Sequence, residues 1–438
     1  MPKLDFAPRY LYKVITPMRL QFTFCFLLAS VPLYAQEPLQ ISGELRQRGE
    51  YRQNADFDSR LGDEQIFVLQ RLRLGLHWNF PNQLAAFVQM QDSRLWGEEG
   101  STTQPLNNTD VHQAYFEMQR LAGKPLRVRL GRQEMKFGSQ RLVGVNDWSN
   151  IGRAFDGARL SYGEAATTLD LWLAQIRDKN AATIDGNQEF AGAFVSSGSA
   201  ATRVFDAYAM WLIDDRDFPI GSSSGVALFL GTYGARLAGV LRQRLEYEAE
   251  GVYQTGKHGN LDVNAFGLVL QGKIKLAQKW SPKIGASYKF GSGDENPNDG
   301  KLQTLSTLFP TVHGQFGAAD YAGWSNIADV MFLTELSPSP VLRTSAKLHY
   351  LRLAHGNDAW YVARGFTFDK RAETLLPARP GESIELGYNL DLQVDYDFRE
   401  QVGVSFGVSR FFAGDFIKAG NPEADDSNWA YLSIKMRW

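Results

Sequence analysis

The chain has 438 residues, a formal charge of −2, 44% hydrophobic and 13% aromatic residues, and a single cysteine. That balance gives no case for a nucleic-acid partner, and one cysteine cannot build a disulfide framework. A mean hydropathy of −0.29 and the absence of any run of 18 apolar residues exclude a spanning helix, which needs about 20.

Residues 1–35 read as a secretory signal peptide. Lys3, Arg9, Lys13 and Arg19 accompany an apolar stretch from Gln21 to Leu33, and Leu33-Tyr34-Ala35 offers cleavage after Ala35. Met18 is an alternative start, and Cys25 lies inside the apolar stretch with no lipobox before it. Removal takes away four Lys/Arg and Asp5, leaving a cysteine-free chain of charge −5. Residues 36–438 then read as one domain, since no Pro- or Ser-rich linker divides them.

Within that domain the dominant signal is a period of two. From Ile384 to Phe398 every even position is apolar or aromatic and every odd one polar or Gly, over 15 residues. Strands of globular proteins run about 5–6 residues, whereas a tilted strand crossing a bilayer needs about 9–11. The pattern predicts strands near 39–53, 64–80, 84–97, 110–121, 126–139, 155–165, 166–178, 203–214, 225–239, 244–257, 260–276, 280–294, 324–339, 342–354, 382–398, 402–416 and 428–438. A closed bacterial barrel has an even number, so an eighteenth is expected at 187–200. Tight turns are expected at Phe80-Pro81-Asn82 and over 255–260, and long loops at 140–154, 178–202, 294–323 and 355–381. The last strand ends on Trp438, the terminal aromatic that outer-membrane assembly machinery reads. The fold class is therefore all-β: a transmembrane antiparallel barrel of 18 strands with long extracellular loops, in a Gram-negative outer membrane and in contact with its lipid.

If apolar positions face lipid, their neighbours face the lumen. This turns Arg71, Arg73 and His77 inward on one strand, Arg127 and Arg129 on another, Lys283 and Lys289 on a third, and Arg343, Lys347 and His349 on a fourth. Glu246, Glu248 and Glu250 form an acidic ladder, and Asp391, Asp395 and Asp397 another. An 18-strand barrel leaves an aqueous passage, and inward Arg and Lys favour anions in it.

The block from Gly131-Arg132-Gln133 through Arg141-Leu142-Val143-Gly144, Asp147-Trp148 and Arg153-Ala154-Phe155-Asp156-Gly157-Ala158-Arg159-Leu160 resembles the alginate export family of outer-membrane channels. Gln70-Arg71-Leu72-Arg73-Leu74 and the stretch Phe309 to Gly314 look similar too. The resemblance implies a monomeric barrel whose Arg/Lys-lined constriction passes a uronate polymer or smaller anionic solute. It points to Arg71, Arg73, Arg129, Arg132 and Arg153, with Asp156 as a structuring partner in the constriction. Simple alternation from Leu130 points Arg132 outward, so its place there requires a bulge or a strand end. The acidic ladder runs against such a charge.

Two other functions fit the same pattern: an uptake porin for other solutes, and a structural or adhesive barrel plugged by its loops, with 294–323 as the plug. An enzyme is not expected, because the six histidines, 77, 112, 258, 313, 349 and 355, form no catalytic or metal motif. Neither metal nor cofactor is expected. The channel reading predicts that Arg71→Glu with Arg73→Glu lowers anion preference while the barrel stays folded.

Overall fold

The alternating stretches become strands, each hydrogen-bonded to its sequence neighbour. The computed structural model describes residues 39–60, 62–103, 106–164, 166–176, 188–199, 201–214, 227–366, 374–421 and 423–438. The leader read over 1–35 lies outside them. Eighteen antiparallel strands form the wall: β1 Gln40–Gln53, β2 Gln65–Phe80, β3 Leu84–Leu95, β4 Thr109–Met118, β5 Leu126–Gln133, β6 Phe155–Glu164, β7 Thr167–Ile176, β8 Gln188–Ser199, β9 Arg203–Asp214, β10 Leu228–Leu241, β11 Leu245–His258, β12 Leu261–Lys275, β13 Lys283–Gly291, β14 Ile327–Ser339, β15 Leu342–Arg352, β16 Glu385–Arg399, β17 Val402–Ala413 and β18 Ser427–Arg437. The sheet closes through β18 against β1, in a register running from Glu44 opposite Arg437 to Gln53 opposite Asn428. Closure leaves no unpaired edge, which a bilayer would penalise.

The outer face is apolar because a period of two leaves it so: Leu432, Ile434 and Met436 are 50%, 46% and 42% exposed, while Trp429 and Tyr431 on the other face are buried. A one-residue slip would exchange the faces and put Lys435 and Arg437 into lipid. Trp78 stacks on Phe80 at 4.8 Å at one end of the band, and Tyr350 meets Tyr388 at 4.9 Å toward the other, as interfacial aromatic girdles do.

Short turns and long loops alternate between the two ends. The 255–260 turn is the exception: it joins β11 to β12 at the long-loop end. The strand expected over 126–139 stops at Gln133, because Met135 and Phe137 leave the wall and pack inside the barrel. Phe137 lies 4.5 Å from Trp172 and 5.0 Å from Phe194. Its alternation is a lumen core, and sequence alone does not separate that from a wall. Nearby, Phe57 contacts Tyr321, Trp360 and Phe411 at 5.1–5.6 Å, so loops from distant parts of the chain fill the long-loop half of the lumen with apolar packing. In the loop after β17 a short helix, α1 Asp415–Gly420, buries Phe416 and Ile417 in the same core.

Candidate functional site

Three wall strands bring like charges side by side. Arg46 on β1 lies opposite Arg71 on β2 and, across the closure, opposite Lys435 on β18. Directly opposed cations destabilise a sheet unless a counter-charge reaches them, and the loop after β5 supplies it. The Asp147 carboxylate accepts from Arg71 at 2.6 Å and lies 3.4 Å from Lys435. Its main-chain oxygen accepts from Arg46 at 2.6 Å and Arg71 at 3.0 Å. Arg71 also reaches Glu44 at 2.5 Å, and Arg73 donates to Gln91 at 2.7 Å and to the Ile151 carbonyl at 3.1 Å. The segment Asp147–Ile151 is thereby strapped against the inside of the wall.

A second loop, after β13, is fastened to the first. The Trp148 ring is sandwiched between His313 at 3.6 Å and the Arg48 guanidinium at 3.7 Å. Arg153 donates to the carbonyls of Gly144 at 2.9 Å, Pro310 at 2.7 Å and Phe309, tying both loops together. Burial, with Arg364 nearby, pushes the Arg153 guanidinium down to about 10. The acidic ladder is answered from the same loop: Arg141 reaches Glu248 and Glu250 at 2.6 Å each. From the wall, Arg236 meets Glu248 at 2.9 Å and Lys283 meets Glu246 at 2.7 Å.

Burial opposes ionisation of Asp147, but Arg71, Lys435 and Arg46 outweigh it and hold the carboxyl well below the usual carboxylate range. A carboxyl depressed on folding adds stability that is present above its unfolded value, about 3.9, and is lost as pH falls through its folded value. The strap should therefore hold at about pH 4, with single-channel conductance as at neutral pH; a higher-conductance state already present at about pH 5 would contradict this.

Below the strap, toward the short turns, a cavity of about 590 Å³ opens between β15, β16, β17, β18 and the two loops. Its charged lining comprises Arg46, Lys347, Arg399, Lys435 and Arg437 with Asp147, Asp391, Asp397 and Glu400. Over the whole sector of β1, β2 and β18, seven cations (Arg46, Arg48, Arg52, Arg71, Arg73, Lys435 and Arg437) meet four carboxylates (Glu44, Glu50, Glu134 and Asp147), so its local charge is positive.

The sequence profile described as alginate export matches residues 37–431. The chain belongs to the alginate export family. Solved structures similar to this family member are Pseudomonas aeruginosa OpdO (13% identity, TM-score 0.61, 91% of this chain and 97% of that one), the outer membrane protein opdK of the same organism (10%, 0.57, 91% and 98%) and Acinetobacter baumannii OccAB4 (10%, 0.57, 92% and 99%). At these identities they speak for the fold. No curated protein sequence matches. Family and fold together make this a multi-pass outer-membrane barrel of the channel type.

The residues expected at the constriction of this alginate export barrel separate into groups. Arg71, Arg73 and Arg153 converge on the two loops as strap and tie, and Arg71 is fully buried. Arg129 donates to Glu117 at 2.5 Å and covers the Tyr115 ring at 4.1 Å; Arg127 lies 3.8 Å from the same carboxylate nearer the turn. Arg343 pairs with Asp397 at 2.8 Å close to the short-turn rim. Lys347 lines the cavity and forms no ion pair among the described residues. Arg132 and Asp156 pair with each other at 3.1 Å, but away from this group. The register from Leu130 to Arg132 is unbroken and Phe155 is the buried neighbour, so alternation holds, no bulge rescues Arg132, and both side chains stand on the outer face at the loop end of the wall. Sequence reasoning missed Arg46, Arg48, Asp147, Arg141 and Lys435. The alternation Glu44-Leu45-Arg46-Gln47-Arg48 carries a signal for the first two; Asp147 and Arg141 sit in a loop, where no period predicts direction.

Proposed function

We propose that the barrel passes anionic solutes passively, of the acidic-saccharide class that includes uronate oligomers and polymers. The carrying observation is the excess of cations on the β1, β2 and β18 sector next to a cavity also lined by Lys347, which forms no ion pair among the described residues. Arg and Lys in a narrow passage lower the barrier to anions, and guanidinium forks match planar carboxylates. Because Arg141 and Arg236 neutralise Glu248, the acidic ladder does not cancel that preference. The two fastened loops narrow the lumen, which suits selective passage better than bulk diffusion. In this reading residues 1–35 are removed after Ala35, the barrel is monomeric, the long loops face outside the cell, and β18 with Trp438 engages the assembly machinery. No catalytic step, metal or cofactor is part of it.

The test is current block. Oligouronates added to the reconstituted channel should interrupt the current in a concentration-dependent way, and neutral oligosaccharides of equal length should not. Equal block by both would assign the barrel to general sugar passage, and block by neither would remove the saccharide from the reading.

A further inference from the structure

The two ends of the barrel carry opposite charge. At the short-turn end, the segments 119–125, 241–245 and 275–282 contain Arg120, Lys124, Arg242, Arg244, Lys275 and Lys279 and no carboxylate. All six are exposed, and none has an ion-pair partner among the described residues. The remaining short turns sum to zero charge. At the long-loop end, the segments 54–64, 96–108 and 414–426 together hold ten carboxylates and two cations. Lys279 also lies over the Trp280 ring at 5.6 Å, but exposed cations with no ion pair among the described residues are not structural staples. Their charge faces solvent at the same end of the barrel as the mouth of the cavity, whose own rim is the β16–β17 turn with Arg399, Glu400 and Gln401.

Resting on the anionic-saccharide reading above, we propose that the short-turn face is an electrostatic capture surface for the polyanion, and that the acidic long-loop face disfavours its approach from the other side. A field of one sign at a cleft mouth raises the association rate of an oppositely charged ligand by about 10–10³-fold, and salt removes the gain because exposed charges are screened. The chain would then load from its short-turn end. The strap and Lys347 act after capture, so the two sets of cations govern different steps: the turns set the on-rate, and the lumen sets selectivity.

Oligouronate block of the oriented channel tests this. Ser101→Cys in a long loop, labelled by a membrane-impermeant thiol reagent from one chamber, identifies which face that chamber sees. Oligouronate added on the short-turn side should block with an on-rate about ten-fold or more above that from the long-loop side at low salt, and the two rates should converge at about 1 M salt. The variant Arg242→Glu, Arg244→Glu, Lys275→Glu, Lys279→Glu should lose that advantage with unchanged off-rate and unchanged conductance. The matching Gln variant, which removes charge without adding any, should fall between. Equal on-rates from both sides of the parent channel would overturn the inference and leave the anionic-saccharide reading standing, whereas no block from either side would overturn that reading itself. Unchanged kinetics in the reversed variant would also overturn it, and would leave the turns to anionic lipid headgroups or an acidic protein.

Discussion

Arg71→Glu combined with Arg73→Glu should loosen the Asp147 end of segment 147–151 from the wall and raise single-channel conductance while the barrel stays closed. Arg71 is fully buried and spends its guanidinium on Glu44, Asp147 and the carbonyls of Asp147 and Ser149. Removing one member of a fully buried pair costs about 3–5 kcal/mol; here the partner carboxylates are 14% and 40% exposed, so the loss is smaller, and a carboxylate in place of Arg71 adds repulsion from Glu44 and Asp147. What remains at the Asp147 end is three main-chain hydrogen bonds from Arg46 and Arg48 and the longer Lys435 contact, at about 1.5–3 kcal/mol for each bond to a charged group. Trp148 keeps its stack on Arg48 and His313, and Asn150 keeps its bonds to the Gln70 and Arg94 carbonyls and from Ser93, so two new negative charges loosen the Asp147 end most. The wall does not depend on the strap, since thirteen residue pairs join β1 to β2 through the main chain. Conductance recordings beside a folded-barrel gel-shift assay check this. A shift in ion preference at unchanged conductance would mean that the two arginines line the path and do not hold the loop.

Lys347→Glu should do the opposite: alter selectivity and leave the conductance state alone. The side chain lines the cavity without an ion pair among the described residues, and the stability cost is confined to a like-charge contact with Asp391, which lies opposite it on β16, of about 0.2–1 kcal/mol. Two unit charges about 8 Å apart interact by roughly 0.5 kcal/mol in water and about 2 kcal/mol at an effective dielectric of 20. Reversal doubles the change for each ion; at the water end anions lose about 1 kcal/mol and cations gain as much, which together is roughly a 30-fold drop in the anion-to-cation permeability ratio before screening by salt. Lys347→Gln should give about half the free-energy change. A reversal potential identical to the parent's in Lys347→Glu would place the ion path elsewhere.

The contrast between these two variants marks where the sequence is informative. Strand existence and facing were legible because a bilayer on one side and water on the other enforce a period of two; even β8, inferred from parity alone, lies where expected at Gln188–Ser199. Which inward cations are free was not legible. Arg71 and Lys347 are equivalent to a periodicity argument and Arg153 comes only from the family resemblance, yet Arg71 and Arg153 are consumed by loop carbonyls and carboxylates from residues 76 and 156 positions away. Long-range partners in irregular segments leave no local signature. The Arg132–Asp156 pair shows the reverse case, in which the simple alternation rule was right and the carry-over from the family's pattern put a lipid-side pair in the lumen.

Ion preference of the intact channel bears most directly on the account. A reversal potential measured under a potassium chloride gradient across a planar bilayer, with the barrel refolded and inserted, should take the sign set by chloride. A potential of the opposite sign, or no conductance at all, would contradict an anion-passing channel and leave the strapped loops as a plug.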